Sequence, residues 1–288
     1  ISSGPGATNL LTGVCCSYYD SVPALMLTGQ VATHRLKGER KVRQVGFQET
    51  DSLSIYSSVT KYAAQLSNSN QIASILDRAY AEAEFGRPGP VLVDIPDDLQ
   101  RAHIDTAVLP RYSAAARMFS NELSEQVQSL LAQISAAKRP VIVLGGGLST
   151  PRKADELREF LKHVEIPLLQ TWAGLDLIPY DWKYRVGTFG VYGSRLGNFV
   201  IQHADLVVCL GTRLSQNLTG GVLSTFAPNA RIVMVDADKG EMDKFDGYGI
   251  RIAGRIQCLM GEFLEAAKAV IEQYKAPSIT PWLATIES

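Results

Sequence analysis

Seven residues near the start, Ser3-Gly4-Pro5-Gly6-Ala7-Thr8-Asn9, form the most specific string in the sequence. Two glycines around a proline make a rigid turn that can pass close beside a flat ligand. Asn9 then offers both a donor and an acceptor at a helix start. The plainer reading is an ordinary loop with a helix cap. Further on, Phe47-Gln48-Glu49 follows a basic stretch. Gln48 can hydrogen-bond a ring and Phe47 can wall a pocket. Core packing for Phe47 and solvation for its neighbours is the plainer alternative. The basic stretch holds Arg35, Lys37, Arg40, Lys41 and Arg43. A solvated surface loop is its common outcome, and a lid that orders over an anionic substrate is the sharper one.

Three more features share one logic. Gly145-Gly146-Gly147 follows an apolar run and precedes a helical pattern. Backbone N–H groups there can approach a phosphate, whose charge a helix N-terminus favours. Thr150 stands where the last glycine of G-x-G-x-x-G would be, so the string fits a ligand-free tight turn equally well. Gly211-Thr212-Arg213 repeats the pattern at another strand end, where Arg213 can contact a phosphate or pair with a surface carboxylate. Asp236, after Val233-Met234-Val235, can accept from a ribose hydroxyl or cap a helix.

Such residues need elements that bring them to one edge, and open α/β sheets bind ligands beyond the carboxyl ends of their strands. In the first part, Thr8 or Asn9 is predicted to cap a helix running to about residue 19. A buried strand over 24–28, a polar loop over 33–45, a helix over 52–57 and a strand over 59–65 follow. Ile72, Ile75, Leu76, Ala79, Tyr80 and Ala83 recur at helical spacing within 70–85, and Gly86 stops that helix. Residues 90–95 read as a strand. Residues 101–121 show no sustained period and read as a linker. Beyond them, helices are predicted over 124–136, 151–163, 195–202 and 257–274. Strands are predicted over 140–144, 167–170, 206–210 and 231–235, with a short last one over 250–252. Strands alternating with helices mean parallel sheets with crossover helices. The fold class is therefore α/β, with parallel sheets, helices on both faces and a complete Rossmann-like domain in the second part. Residues 275–288, with Pro277 and Pro281, read as an exit linker.

Bulk properties exclude other classes. The 288 residues carry 28 basic and 29 acidic side chains, a formal net charge of −1. No overall field would draw nucleic acid or an anionic membrane. No apolar run reaches the ~18 residues of a membrane span. No basic region followed by an apolar one marks a signal peptide. Cys15, Cys16, Cys209 and Cys258 show no C-x-x-C spacing, and the four histidines show no zinc pattern. No metal ligands are expected, and the cysteines read as buried free thiols of a cytoplasmic protein.

Together the strings resemble thiamine-diphosphate-dependent enzymes of the acetolactate (acetohydroxyacid) synthase type. The matching text is Ser3-Gly4-Pro5-Gly6-Ala7-Thr8-Asn9, Asp20-Ser21-Val22-Pro23 and Thr28-Gly29-Gln30-Val31. It continues in the same order with Gly46-Phe47-Gln48-Glu49-Thr50, Val59-Thr60-Lys61 and Gly86-Arg87-Pro88-Gly89-Pro90-Val91-Leu92-Val93-Asp94-Ile95-Pro96. The resemblance implies the later part of a pyrimidine-binding domain over 1–108, a linker over 109–123 and a central domain over 124–274. Ser2, Pro5 and Asn9 then match positions lining the thiamine pocket. Gln48 matches a residue near the cofactor, and Phe47 one beside the substrate entrance. The cofactor of that family lies between two subunits, so a homodimer or homotetramer is implied. Thiamine diphosphate and Mg2+ are implied for a full-length protein, with a 2-oxo acid as substrate.

The family's catalytic glutamate lies upstream of the Gly-Pro-Gly turn, and its Gly-Asp-Gly metal motif has no match here. The chain, which starts at Ile1, thus reads as a fragment that is inactive alone, its first sheet leaving an edge exposed. Arg87, Gly145, Gly146, Gly147 and Arg213 match flavin-contacting positions. Elsewhere the text departs. Leu214-Ser215-Gln216-Asn217 replaces an aromatic-Asp-Asp-Arg string, Asp97 replaces a Lys, and Gly254-Arg255 replaces a Gly-Asp. FAD or another nucleotide in the central domain is left open. A related decarboxylase or carboligase fits better than a standard acetolactate synthase. A non-catalytic nucleotide-binding module or an assembly scaffold is the alternative.

Overall fold

The computed structural model describes residues 4–113, 122–149 and 153–287. The chain divides into two compact units, Ile1–Arg117 and Met118–Ser288. In the first, β1 (Ala24–Gln30), β2 (Tyr62–Gln65) and β3 (Pro90–Pro96) form a parallel sheet in the order β1-β3-β2. Central β3 alternates Val91 and Val93 toward one face with Leu92 toward the other, and all three are buried. On one face Val91 and Val93 cluster with Ala79 and Ala83 of α4 (Ile72–Glu84). On the other, Leu92 clusters with Val14 of α2 (Leu11–Tyr19) and Tyr56 of α3 (Ser52–Tyr56). Helices therefore cover both faces, as expected. β1 lies at one margin of the sheet, where Leu25 and Leu27 are exposed.

In the second unit, α6 (Leu123–Ala136) leads into β4 (Pro140–Leu144). Then follow α7 (Ala154–Val164), β5 (Leu168–Gln170), β6 (Arg185–Thr188), α8 (Arg195–His203), β7 (Leu206–Leu210) and β8 (Arg231–Asp236). The parallel order is β6-β5-β4-β7-β8-β9, with β9 at Ile252–Gln257. Counted within the unit, this is 3-2-1-4-5-6, the doubly wound nucleotide-binding order, whose direction reverses between β4 and β7. Every residue of β4 and β7 is buried, so both faces of the sheet centre are covered. α11 (Met260–Val270) packs on α6 and α7.

Several expectations need correction. The first helix is broken into α1 (Pro5–Thr8) and α2. The Thr8 hydroxyl donates back to the Pro5 carbonyl at 2.9 Å, and α2 starts at Leu10 with no side-chain cap. The last strand lies at 252–257 rather than 250–252, and β6 was not foreseen. Both are marginal strands with mixed exposure, so neither reads as an apolar run. Within 109–123, the Arg111 guanidinium pairs with Asp77 of α4 at 2.7 and 2.8 Å, and residues 114–121 lie outside the described residues. The exit linker is largely a helix, α12 (Thr280–Glu287). Its Trp282 is 3% exposed, donates its indole N–H to the Pro140 carbonyl and stacks on Phe199. Pro281 sits in the first turn, where a missing N–H costs nothing.

Trp282→Ala is expected to cost the second unit ~3–5 kcal/mol. Urea unfolding measures this, and a loss below about 1 kcal/mol would show that α12 does not belong to that core.

Candidate functional site

At the carboxyl end of the first sheet, the register puts Thr28 of β1 and Gln65 of β2 opposite Asp94 of β3. Asp94 is fully buried. Its carboxylate accepts from the Thr28 hydroxyl at 2.6 Å, the Gln30 amide at 3.0 Å and the Gln65 amide at 2.8 Å. Burial pushes the Asp94 carboxyl above its ordinary value, while the three donors pull it down. Gln30 reaches onward: its amide also donates to the Thr50 carbonyl at 2.7 Å. The loop before α3 is thus tied to the sheet by a side chain that also serves Asp94.

That loop carries Phe47 and Gln48. Gln48 has φ 67°, a left-handed conformation that a non-glycine residue adopts at a cost of ~1–2 kcal/mol. Gly4, with φ 57°, packs directly on it: a Cβ at Gly4 would lie 2.3 Å from the Gln48 carbonyl oxygen. Only glycine fits there. The buried Tyr56 hydroxyl donates to the Ala7 carbonyl and holds the same turn from the other side. Two strings far apart in sequence therefore meet. Pro5, Asn9, Phe47 and Gln48 are all exposed, Phe47 at 84%. Among the described residues the side-chain amides of Asn9 and Gln48 make no hydrogen bond. Ser2 lies outside the described residues. Arg87 is not brought to this face. It precedes β3 at the opposite end of the sheet, where its Nε donates to Ser21 at 2.8 Å.

In the second unit the turns after β4 and β7 meet at the reversal of strand order. Gly145 N–H donates to the Leu210 carbonyl and Gly147 N–H to the Gly211 carbonyl, both at 2.9 Å. A Cβ at Gly145 would lie 2.2 Å from the Gly211 oxygen, and one at Gly146 2.8 Å from the Ala173 side chain. The glycines are required by their protein neighbours. The helix expected from 151 is described from Ala154 as α7, and residues 150–152 lie outside the described residues. Asp236 accepts from the Asp238 N–H at 2.9 Å, and the helix cap of α10 (Lys239–Asp243) is Asp238 instead. The Arg213 carbonyl accepts from the Lys244 ammonium.

Two residues at this edge escaped the sequence reading. Trp172, after β5, and Tyr192, after β6, are both largely exposed and lie 5.1 Å apart between ring centroids. Trp172 adjoins Ala173, which abuts Gly146. The only sequence signal was two aromatics outside any periodic run. The departing residues are engaged locally: Asp97 pairs with Arg101, and Arg255 with Asp243 at 3.2 Å and with Asp246. Cys209 and Cys258 are buried, with the Cys258 thiol pushed up to about 12 by burial, whereas Cys16 is exposed. Among the described residues no cluster of three His, Cys, Asp or Glu is placed to hold a metal.

Two parallel α/β units define the α/β class, whose open sheets bind ligands beyond the carboxyl ends of their strands. Comparison sharpens this. Residues 1–55 match the family described as thiamine pyrophosphate enzyme, N-terminal TPP binding domain, and residues 127–267 match thiamine pyrophosphate enzyme, central domain. The chain belongs to the thiamine pyrophosphate enzymes, as part of the N-terminal domain followed by the central domain. It is 34% identical over 283 residues to the acetolactate synthase large subunit of Corynebacterium glutamicum, covering 98% of this chain and 44% of that protein. It is 34% identical over 275 residues to the acetolactate synthase isozyme 2 large subunit of Escherichia coli, covering 95% and 47%. With the probable acetolactate synthase large subunit of Methanococcus aeolicus it shares 31% over 296 residues, covering 100% and 48%. The chain spans about half the length of the curated relatives it matches.

Gly145→Ala is expected to destabilise the second unit by roughly 1–3 kcal/mol with no ligand present, since the added methyl meets backbone. An unchanged melting temperature would show that the turn yields. Asp94→Asn turns one acceptor oxygen into an NH2 group facing donors, and is expected to cost about 1–3 kcal/mol near neutral pH. A raised folded-state pKa means the native chain holds this proton more tightly than the unfolded one. The parent's stability from Asp94 is therefore fullest below about pH 4 and is lost as pH rises. The variant's deficit should widen as pH falls toward 4 in urea titrations, and a deficit that narrows would reverse the sign.

Proposed function

We propose that the whole protein is a thiamine-diphosphate-dependent enzyme that decarboxylates a 2-oxo acid and transfers the resulting acyl carbanion equivalent. The observation that carries this reading is the seating of Gly4 on the Gln48 carbonyl. It brings the proline turn against the loop that carries Phe47 and Gln48, and the amides of Asn9 and Gln48 are unengaged among the described residues. That set suits a flat heteroaromatic ring with its own donors and acceptors. Pro5 and Phe47 would wall it, and Asn9 and Gln48 would hydrogen-bond it, with Ser2 in the same set. Thiamine diphosphate supplies the carbanion stabilisation when bound. The chain's own part is to orient the aminopyrimidine and exclude water from it.

The 288 residues hold no Gly-Asp-Gly motif, so we place Mg2+ and the diphosphate on other parts of the protein. The exposed setting of the Pro5 and Gln48 face favours a pocket completed by a second copy, in a homodimer or homotetramer. We place the domain junction within 109–123, and extend the central domain past 274 because Trp282 is in its core. The reading as a cytoplasmic protein acting on small molecules fits the near-zero charge. Flavin does not fit the second unit. The N–H groups of Gly145 and Gly147 are given to the chain itself, and their open side is filled by Gly211. No role for FAD is derived.

Pyruvate and longer 2-oxo acids, supplied to the purified whole protein, test this. Consumption is expected only with thiamine diphosphate and Mg2+, from a protein without stoichiometric flavin absorbance. Gln48→Ala should lower kcat/KM at least tenfold, and the 288-residue chain alone should show no turnover. Turnover that persists without thiamine diphosphate would overturn the assignment.

A further inference from the structure

The 36–45 segment carries Lys37, Arg40, Lys41 and Arg43 against a single acidic residue, Glu39. The whole chain has a formal charge of −1, so this excess is local. The segment follows the carboxyl end of β1 and returns at Gly46, two positions before Gln48. Its base is closed from both sides. Asp98 accepts from the Thr33 N–H at 2.9 Å and the Thr33 hydroxyl at 2.5 Å. Glu49 accepts from the Lys37 N–H at 2.5 Å with one oxygen and from the Val45 N–H at 2.7 Å with the other. Gly46 N–H donates to the Arg35 carbonyl at 2.9 Å. The excursion is thus a closed loop with a fixed neck, a form that often carries function.

The charges at its tip are not neutralised by the chain. Asp98 and Glu49 hold the neck, and Lys37 is 3.7 Å from Asp51. Arg40 donates to the Leu36 carbonyl at 3.3 Å, which leaves its charge unpaired. Among the described residues the side chains of Arg35, Lys41 and Arg43 make no hydrogen bond or ion pair. His34, Leu36, Lys37 and Arg40 line an open hollow in the loop. Clustered cations repel one another, and a compact oxyanion relieves that repulsion while matching the guanidinium fork. The carboxylate of a simple 2-oxo acid is one charge, less than this loop can accept.

We propose that the 36–45 loop recognises an oxyanion at the far end of the substrate, and that the substrate is a 2-oxo acid with a second anionic group: carboxylate, sulfonate or phosphonate. The 2-oxo acid part rests on the thiamine reading, and the second anion rests on the loop alone. Backbone amide shifts of the 288-residue chain, titrated at fixed ionic strength with pyruvate, oxaloacetate and phosphonopyruvate, test it. The two dianionic acids are expected to shift residues 36–45 with Kd values at least tenfold below that of pyruvate. The triple variant Arg40→Gln, Lys41→Gln, Arg43→Gln should bring all three acids within twofold. Arg158→Gln with Lys162→Gln, on α7, should leave the preference intact. Lys41→Gln with Arg43→Gln, which touches no internal contact, should reduce the preference at least threefold even if the triple variant unfolds. Equal Kd values in the parent, or a preference that survives both loop variants, would overturn the proposal. Failure of the whole protein to bind thiamine diphosphate in the presence of Mg2+, while the loop keeps its preference, would overturn the pocket and spare the loop.

Discussion

Burying one carboxylate in the middle of a small sheet imposes conditions on every strand around it. Asp94 cannot stay charged there without donors: β1 supplies two, Thr28 and Gln30, and β2 supplies Gln65. A slip of one residue in β1 or β2 would turn Thr28 or Gln65 to the other face and take a donor from Asp94. Register is therefore tied to polar satisfaction as well as to the apolar pattern. The same network passes outward, because Gln30 holds Thr50 as well as Asp94. Thr50 fixes the end of the loop in which Gln48 is strained and Glu49 closes the basic neck. The candidate pocket and the basic loop thus share one anchor, and neither can move far without disturbing the sheet.

The second unit spends its special residues differently. At the reversal of strand order, two glycine turns press into each other, and their N–H groups are used within the chain. The close approach that elsewhere admits a pyrophosphate here admits another turn. Asp236 likewise organises the turn to Asp238. The exposed Trp172 and Tyr192 pair stays available beside these turns. The doubly wound order is kept, while the polar chemistry of a dinucleotide site is turned inward.

Sequence patterns read best where burial was complete. Residues 140–144, 206–210 and 231–235 were legible because central parallel strands are apolar on both faces. β6 and β9 were not read at their true positions because marginal strands mix Arg185, Gly187, Gly254 and Arg255 with apolar residues. Pro277 and Pro281 suggested a linker, yet a first-turn proline is compatible with the helix that buries Trp282. The strings that meet in the first unit were both visible, but their meeting was not. Gly4 and Gln48 touch through backbone, and no periodicity encodes that. Asp94 stood inside a recognised string, but its partners lie on other strands and only the register joins them.

The difference between the two units bears on where chemistry can occur. A site needs polar groups whose hydrogen bonds the fold has not already consumed, and it needs them held still. The first unit meets both conditions. Asn9 and Gln48 keep free amides, while Gly4, Tyr56 and Gln30 immobilise the backbone beneath them. The second unit has one large core, and the N–H groups of Gly145 and Gly147 at its strand ends are already used within the chain. The first divides a much smaller core between two faces and carries a loop with an excess of positive charge. Local strain of ~1–2 kcal/mol at Gln48 persists only because Gly4 and Glu49 hold its neighbours in place. On the first unit an immobilised backbone and the unengaged amides of Asn9 and Gln48 coincide, which is the combination a ligand site requires.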